Sequence, residues 1–397
     1  MTEYRAADLQ APPQVDRLQR LALLAGAVGV VGSILGYLMD PEQFLRSYLM
    51  AFIYWIALPL GALGLMMVHH LSGGGWGMPI RRILEAASRT LPFLALLGIP
   101  ILLGLGHVFE WSHADVVAKD PILQAKEPYL NTGFFLARYV IYFVIWSGLA
   151  YILSGWSRAQ DEHYTPGSER KFRLLSGPGL ILYALASTFA AVDWIMSLDP
   201  HWFSTIFGLL FLIQQGVAAM AFVLLMLASL ARSGPLASVI KPVNVHDCGK
   251  LLLAFVMIWA YFAFSQFLII WSANLPEEIP WYLARMSHGW EWVGLFLLVG
   301  QFFLPFFLLL SRDLKRNVRR VASVAAFVLV MRYVDFFWNM APALGREAPM
   351  VHWMDLAALL GLGGIWLALF AMQYRARPLL PIGDPYLPEA LASHGAH

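Results

Sequence analysis

Apolar runs of twenty or more residues recur along the whole 397-residue sequence, and they leave few folds open. A helix needs roughly 20 apolar residues to cross the hydrocarbon of a bilayer. Inside hydrocarbon every backbone N–H and C=O group must be hydrogen-bonded within the protein. A continuous helix makes these bonds within its own segment. The chain is 59% hydrophobic and 13% charged, whereas soluble domains carry about a quarter charged residues. The sequence therefore predicts an all-α polytopic membrane protein.

Ten transmembrane helices are predicted, and the positions of Lys and Arg support that number. The spans cover residues 18–38, 45–69, 82–108, 130–156, 174–198, 203–231, 247–272, 288–311, 320–340 and 351–373. Loops on the cytoplasmic side of a membrane protein carry the excess of Lys and Arg. With ten spans, 19 of the 27 Lys and Arg residues fall on one side, 5 on the other and 3 inside spans. Both termini are therefore expected in the cytoplasm.

The charged loops alternate regularly between the two sides. The predicted cytoplasmic side holds Arg5, Arg17, Arg20, Arg81, Arg82, Arg158, Arg170, Lys171, Arg173, Arg232, Lys241, Lys250, Arg312, Lys315, Arg316, Arg319, Arg320, Arg375 and Arg377. The predicted outer side holds Arg46, Lys119, Lys126, Arg285 and Arg346. A missed or additional span would destroy this alternation.

Charge and cysteine content exclude several classes of function. A net charge of +2 indicates neither nucleic acid nor a strongly acidic partner. The single cysteine, Cys248, excludes an internal disulfide and an iron–sulfur cluster held by this chain, which needs about four thiolates. A membrane haem needs two facing histidines at one depth, and the predicted spans place no such pair at mid-membrane. No metal ligand, catalytic residue or directly bound haem is expected.

A repeated pattern divides the chain into two halves. Val192, Asp193, Trp194, Ser197, Leu198 and Pro200 are matched 142 residues later by Val334, Asp335, Phe336, Asn339, Met340 and Pro342. This predicts two parallel-repeat four-helix bundles at 45–200 and 201–342, each ending on a helix that carries an acid. The stretches 18–44 and 343–374 are then flanking transmembrane helices, and 1–17 and 375–397 are cytoplasmic segments. We expect the Pro-rich tail to lie along a neighbour or to stay mobile.

Ionisable residues inside spans are candidates for function, because each costs about 2.5–3.5 kcal/mol to insert. Glu85 and Arg89 stand four residues apart on one helix face and are expected to pair, or to form a proton or headgroup site. Arg332 and Asp335 stand three residues apart, with Asn339 one turn further. Both sets are open to a structural and a functional interpretation.

Asp193 has no cation on its own helix, so its partner must come from another span. Arg138 lies at a suitable predicted depth. The pair either fixes helix packing or holds a proton-carrying carboxylate. Because Arg332 stands next to Asp335 and would keep that acid charged, Asp193 is the better candidate for proton exchange.

Weaker candidates complete the set of proton-relay residues. Gln214 and Gln215 on the sixth span either link charged sites or bond neighbouring helices. His288 and Glu291, three residues apart, are placed at the outer mouth of the eighth span, where they would take up a proton.

The sequence resembles one known family over essentially the whole chain, and three stretches carry the resemblance. They are DWIMSLDPHWFSTIFG from Asp193, AYFAFSQFLIIWSANLPEEIPWYLAR from Ala260, and MRYVDFFWNMAP from Met331. They resemble the ActF family, the second NrfD-type membrane subunit of bacterial alternative complex III. Members have two four-helix bundles and two additional helices, which agrees with the layout predicted from the residues.

The resemblance implies a subunit of a respiratory or photosynthetic quinol:electron acceptor oxidoreductase in the bacterial inner membrane. The implied partners are an NrfD-like sister subunit, an iron–sulfur protein, multihaem and monohaem cytochromes c, small membrane subunits and lipids. Haem c and iron–sulfur clusters then belong to the partners, and quinone or menaquinone is the one ligand implied here. The sister subunit carries quinol oxidation, and this type of subunit conducts protons. Asp193, Arg332 and Asp335 match charged residues of the bundle cores.

Two other functions remain open from the sequence. One is a stand-alone secondary transporter, against which we find no short Gly- or Pro-interrupted segments at matching positions of the two halves. The other is a structural scaffold whose buried charges only fix helix packing.

Overall fold

The computed structural model of the protein describes residues 10–231 and 236–387. Within these ranges it is helical and has no strand. Ten helices are long and apolar enough to cross a membrane. They are α1 (Pro13–Met39), α2 (Pro41–Ser72), α3 (Arg81–Leu103), α4 (Thr132–Glu162), α5 (Glu169–Trp194), α6 (Phe207–Leu230), α7 (Pro242–Ala273), α8 (Trp290–Leu310), α9 (Val318–Met340) and α10 (Trp353–Arg375).

The prediction of a polytopic helical membrane protein is confirmed by these ten helices, which coincide with the predicted spans to within a few residues. Arg5 and Arg232, which contribute to the predicted charge alternation, and the last ten residues of the predicted tail lie outside the described part of the chain.

Short helices occupy the connections between the long ones. They are Gly75–Gly77, Leu105–His107, Glu110–Ser112, Ala114–Val117, Pro121–Lys126, Met196–Leu198, Leu236–Val239, Pro280–Ala284 and Arg312–Arg316.

Helix starts follow local sequence signals. The Asp40 side chain accepts a hydrogen bond from the N–H of Gln43 and Pro41 opens α2, while Asn131 caps α4 and Asn317 caps α9 in the same way. These caps satisfy N–H groups that the first turn of a helix leaves free.

Two helices form the centre of the molecule. For α2, 83% of the central apolar stretch is buried in the protein, compared with 22% for α1 and for α7. α2 packs against α3, α5, α6 and α10, and α6 packs in addition against α5, α7 and α9. The exposed apolar residues of α1, α7 and α8 face outward, as expected for helices in contact with lipid.

α1 lies against α10 at glycine positions. A Cβ atom added at Gly29 would lie 2.0 Å from the backbone nitrogen of Gly361, and one added at Gly364 would lie 2.3 Å from the Cα of Gly26. Small residues let helix backbones approach closely, which drives helix association in a membrane. α1 is therefore held to the rest of the protein mainly by this close contact.

α8 changes its hydrogen-bonding pattern halfway along. Trp290–Leu297 is α-helical, Leu298–Phe303 is a π-helix, and Leu304–Leu310 is α-helical again. Pro305 follows the π turn and has no N–H to donate to the carbonyl of residue 301. Wide turns of this kind are rare and are frequently found at functional sites.

The C-terminal segment folds back over the ends of α3 and α4. Leu379 and Leu380 are buried, and the Arg377 guanidinium donates to the carbonyl of Ser154 at 2.6 Å. The prediction that the tail lies along a neighbour or stays mobile is therefore wrong for the tail as far as residue 387. It missed Leu379 and Leu380, which give this segment an apolar surface to bury.

Candidate functional site

The predicted site residues lie in three groups of buried charges within the described chain. One group surrounds Asp193 between α4 and α5, a second surrounds Asp335 on α9, and a third surrounds Glu85 at the start of α3. An ionised side chain away from water is stable only when its charge and hydrogen bonds are satisfied. The three groups differ in how far this is achieved.

Asp193 is fully satisfied. Arg138 donates from Nε to Oδ2 at 2.8 Å and from Nη2 to Oδ1 at 2.9 Å, and Tyr142 donates to Oδ2 at 2.7 Å. The predicted partnership of Arg138 with Asp193 is present. The Arg138 guanidinium also donates to the carbonyl of Tyr129 at 2.8 Å and lies 3.8 Å from the centre of that ring. Three donors hold this carboxylate, as expected for an ion pair that fixes helix packing.

Asp335 has weaker partners. Arg332 Nη1 lies 3.1 Å from Oδ2, but its direction does not make a hydrogen bond. Gln214 Nε2 donates to the same oxygen, and Asn339 Nδ2 lies 3.4 Å from Oδ1. The predicted group of Arg332, Asp335 and Asn339 is therefore present, and Gln214 joins it from α6.

A cavity of about 640 Å³ opens beside Asp335. Its walls come from α6, α7, α8, α9 and the connection between α7 and α8, and they are mainly aromatic and aliphatic. The polar or charged side chains that line it are Gln266, Tyr282, Arg285, Glu291, Asp335 and Asn339. We call this space the Asp335 cavity. A few polar groups in a mostly apolar cavity of this size are typical of small-molecule sites.

Arg285 fixes the connection that closes one end of the cavity. It donates to the carbonyls of Trp281 at 2.8 Å, Trp338 at 3.1 Å and Asn339 at 2.6 Å. The last two belong to the C-terminal turn of α9, where carbonyls lack helical partners and the helix dipole favours a cation. Burial lowers the pKa of Arg285 to about 9, so the side chain remains charged at neutral pH.

Tyr282 supplies a hydroxyl at the same end of the cavity. Gln266 Nε2 lies 3.4 Å from its oxygen, and burial raises the pKa of Tyr282 to about 12. The hydroxyl therefore keeps its proton and can donate it in a hydrogen bond to a ligand. Sequence reasoning singled out neither Tyr282 nor Arg285; their one signal was their place in the stretch NLPEEIPWYLAR.

The predicted pairing of Glu85 with Arg89 is wrong. Glu85 accepts from Arg81 Nε at 3.1 Å and from Arg82 Nη1 at 2.6 Å, and Arg377 Nη1 lies 3.2 Å away. Both carboxylate oxygens are thus occupied by cations nearer than Arg89.

Arg89 turns to neutral groups instead. It donates to Gln373 at 2.9 Å and to Ser154 at 3.2 Å, and it lies 4.2 Å from the ring centre of Tyr151. The α-helical segment containing Glu85 ends at Ser88, which takes Arg89 out of the regular helix face.

The Glu85 cluster contains as many carboxylates as guanidinium groups. Asp384 bonds to Arg81 and Asp161 bonds to Arg82, so Glu85, Asp161 and Asp384 balance Arg81, Arg82 and Arg377. The cluster joins α3, α4 and the C-terminal segment. It is an ion-pair network that ties down the chain end.

The remaining candidates are separated by the structure. Gln215 accepts a hydrogen bond from Tyr183 at 2.5 Å rather than joining Gln214 at Asp335. Glu291 lines the Asp335 cavity and accepts from the N–H of Gly289 at 3.0 Å. His288 is exposed, and no hydrogen bond links it to Glu291 within the described residues.

The geometry thus favours Asp335 over Asp193 for proton exchange, the reverse of the order expected from the sequence. Arg138 reaches Asp193 from another helix and grips both oxygens, whereas Arg332 touches Asp335 at one oxygen only. Only Asp335 borders the Asp335 cavity.

Comparison with models of known protein families finds no match. Comparison with curated protein sequences finds no significant match either.

Proposed function

We propose that this chain is an integral subunit of a bacterial quinol:electron acceptor oxidoreductase of the alternative complex III type. In this proposal the Asp335 cavity takes the headgroup of a quinone or quinol, and Asp335 exchanges protons with the cavity. The observation that carries the proposal is a buried carboxylate in the wall of a mostly apolar cavity of about 640 Å³. A lipid-soluble ligand that gains and loses protons suits such a site.

The composition of the cavity wall supports a quinone. Phe264, Phe267 and Phe302 supply aromatic and apolar surface for a ring and an isoprenoid chain. Tyr282 offers a hydroxyl donor, and the Asp335 carboxylate offers an acceptor. A quinone carbonyl needs a donor and a quinol hydroxyl needs an acceptor, so both redox states find a partner.

The partners of Asp335 support a role in proton exchange. Gln214 and Asn339 are neutral and bond equally well to a carboxylate or to the carbonyl oxygen of a protonated acid. A carboxylate held by three hydrogen bonds, two of them from one guanidinium, would release that arrangement only at high cost. Asp335 is free of this restraint, and Asp193 is not.

The resemblance to the ActF family supports the larger assembly. Two of the stretches that carry it, 260–285 and 331–342, provide residues that line the Asp335 cavity. On this basis we place the chain in the bacterial inner membrane with both termini in the cytoplasm and with two parallel four-helix bundles. Its partners would be an NrfD-like sister subunit, an iron–sulfur protein and cytochromes c that carry haem c.

A structural role is a second candidate for the first half of the chain. The Arg138–Asp193 pair and the Glu85 cluster both join separate helices through satisfied ion pairs. These groups favour a scaffold there, while the cavity favours ligand binding in the second half.

The proposal is tested by light-activated labelling of the complex purified intact from native membranes. An azido-quinone should label peptides of α7 and α8, and the chain should co-purify with haem c. Ala263→Trp fills the cavity and should abolish the labelling. Ala254→Trp, at an exposed position of α7, is the matched control and should leave it intact. Labelling that is unchanged in the Ala263→Trp variant would show that the quinone binds elsewhere.

A further inference from the structure

Several buried polar atoms on α8 and α9 have no hydrogen-bond partner in the protein. Within the described residues they include both amide atoms of Gln301, Arg332 Nε and Nη2, and Asn339 Oδ1, while Arg332 Nη1 has its ionic contact with Asp335. Arg332 and Gln301 are both 0% exposed. Buried polar groups in proteins are nearly always hydrogen-bonded, to protein or to ordered water. A guanidinium has five N–H donors, so Arg332 needs more hydrogen-bond acceptors than any other residue in this set.

The helices bring Gln301 and Arg332 to the same level. A Cβ atom added at Gly300 would lie 2.8 Å from Cε of Met331, so the π turn of α8 rests against α9 at this point. Gln301 and Arg332 are the next residues along each helix. The same π turn contributes Leu298 and Phe302 to the wall of the Asp335 cavity.

The unpartnered atoms complement one another as ligands of water. Arg332 supplies donors, while Gln301 Oε1 and Asn339 Oδ1 supply acceptors. A buried water molecule typically makes about three hydrogen bonds to polar groups that are otherwise unsatisfied. The Arg332 guanidinium lies 4.9 Å from the ring centre of Trp259, which lines the cavity. The polar set therefore continues directly from the cavity wall.

We propose that Arg332 and Gln301 bind a cluster of ordered water directly behind the Asp335 cavity. The cluster completes the hydrogen bonds of the guanidinium and allows it to remain buried beside Asp335. Its use as the proton donor and acceptor for Asp335 rests on the proposed function, whereas its presence does not. The first half of the chain offers a contrast, because Asp193 is closed off by three side-chain donors.

X-ray radiolytic footprinting of the intact complex in lipid nanodiscs tests this inference. Hydroxyl radicals formed from bound water oxidise buried side chains that touch it. Met331 and Met50 are equally buried, at 0% exposure, which makes them a matched pair. Met331, next to Arg332, should be oxidised several-fold faster than Met50, which lies in the apolar core of α2. Equal oxidation rates for the two methionines would overturn the proposal.

A substitution in the π turn tests whether Gln301 holds the water. Gln301→Leu keeps a similar size but removes both amide atoms, so Met331 oxidation should fall to the rate of Met50. Gln215→Leu, at a buried glutamine bonded to Tyr183, should leave Met331 oxidation unchanged. Persistent fast oxidation in Gln301→Leu would contradict the role of Gln301. Fast oxidation of Met331 without azido-quinone labelling would retain the water cluster and reject the quinone site.

Discussion

Arg138 and Asp193 meet at two points, with Nε 2.8 Å from Oδ2 and Nη2 2.9 Å from Oδ1. Arg332 makes one ionic contact with Asp335, at 3.1 Å, and no hydrogen bond. The sequence pattern places the two acids at equivalent positions, yet their surroundings differ in both partner geometry and access to a cavity. These differences distinguish a locked ion pair from an exchangeable one.

Replacing Arg138 should destabilise the protein strongly. Arg138→Leu leaves the Asp193 carboxylate buried without its cation, with Tyr142 still donating to it. Removing one partner of a buried ion pair typically costs about 3–5 kcal/mol, because the other charge is left uncompensated. The midpoint of thermal unfolding in detergent, followed by helical circular dichroism, measures the loss.

Arg158→Leu is the control for that variant. Arg158 pairs with Glu162 at the surface of the same helix, where the side chains are 72% and 61% exposed. An exposed pair contributes about 0–1 kcal/mol. If the two variants shift the midpoint equally, the Arg138–Asp193 pair does not stabilise the bundle.

A side chain at Gly29 should separate α1 from α10. Gly29→Leu would place its Cβ 2.0 Å from the backbone nitrogen of Gly361, and backbone cannot move aside as a side chain can. Overpacking of a tight contact costs about 1–3 kcal/mol or more. The unfolding midpoint should fall accordingly.

Gly148→Leu serves as the comparison, since a Cβ atom added at Gly148 meets no other group within 4 Å. Its unfolding midpoint should stay close to that of the unmodified protein. A Gly29→Leu variant that is as stable as Gly148→Leu would mean that α1 is held by something other than this glycine contact.

The sequence was sufficient for the ten helices because the length of each apolar run is a local property. It also indicated the partner of Asp193, since a buried acid without a cation on its own helix needs one from another helix. It failed for Glu85, whose cations Arg81 and Arg82 lie one turn earlier and whose third cation, Arg377, lies 292 residues away. No local pattern reports such a distant contact.

The cavity was equally hidden from sequence reasoning. Arg285 caps the end of α9 from the connection between α7 and α8, and the π turn of α8 forms part of the cavity wall. Both features depend on how helices meet in three dimensions. The apolar pattern of α8 reads the same with or without a wide turn.

Neutralising Glu85 should loosen the C-terminal segment. Glu85→Gln keeps the size of the side chain but leaves Arg81, Arg82 and Arg377 with too few carboxylates. Amide hydrogen exchange in residues 378–387 should accelerate, because this segment is held down partly through Arg377 and Arg81. Hydrogen-exchange mass spectrometry of the tail peptides measures the change.

Glu162→Gln is the matched control, because Glu162 pairs with Arg158 at the surface. Exchange of the tail peptides should be unaffected in this variant. Tail exchange that is equally slow in Glu85→Gln would indicate that Leu379 and Leu380 alone hold the segment in place.

The decisive variants replace each buried pair by a neutral one. Asp335→Asn alone would leave Arg332 as an unpaired buried charge, so the informative change is Arg332→Gln with Asp335→Asn. This variant keeps polar side chains of similar size and preserves neutrality, and Gln214 and Asn339 still have an oxygen at residue 335 to donate to. The complex should therefore assemble. A titratable group in the cavity wall is lost, and a positioned acid or base contributes about 10²–10⁴-fold to proton transfer.

Proton translocation coupled to quinol oxidation, measured in proteoliposomes, should accordingly fall in the Arg332→Gln, Asp335→Asn variant. The matched first-half variant is Arg138→Gln with Asp193→Asn. It neutralises a pair that borders no part of the Asp335 cavity, and Tyr142 can still donate a hydrogen bond to residue 193. Its proton-to-electron ratio should stay at the level of the unmodified complex. The opposite result, with loss in the first-half variant and none in the second, would return the proton-exchanging role to Asp193 and leave Asp335 as a packing residue.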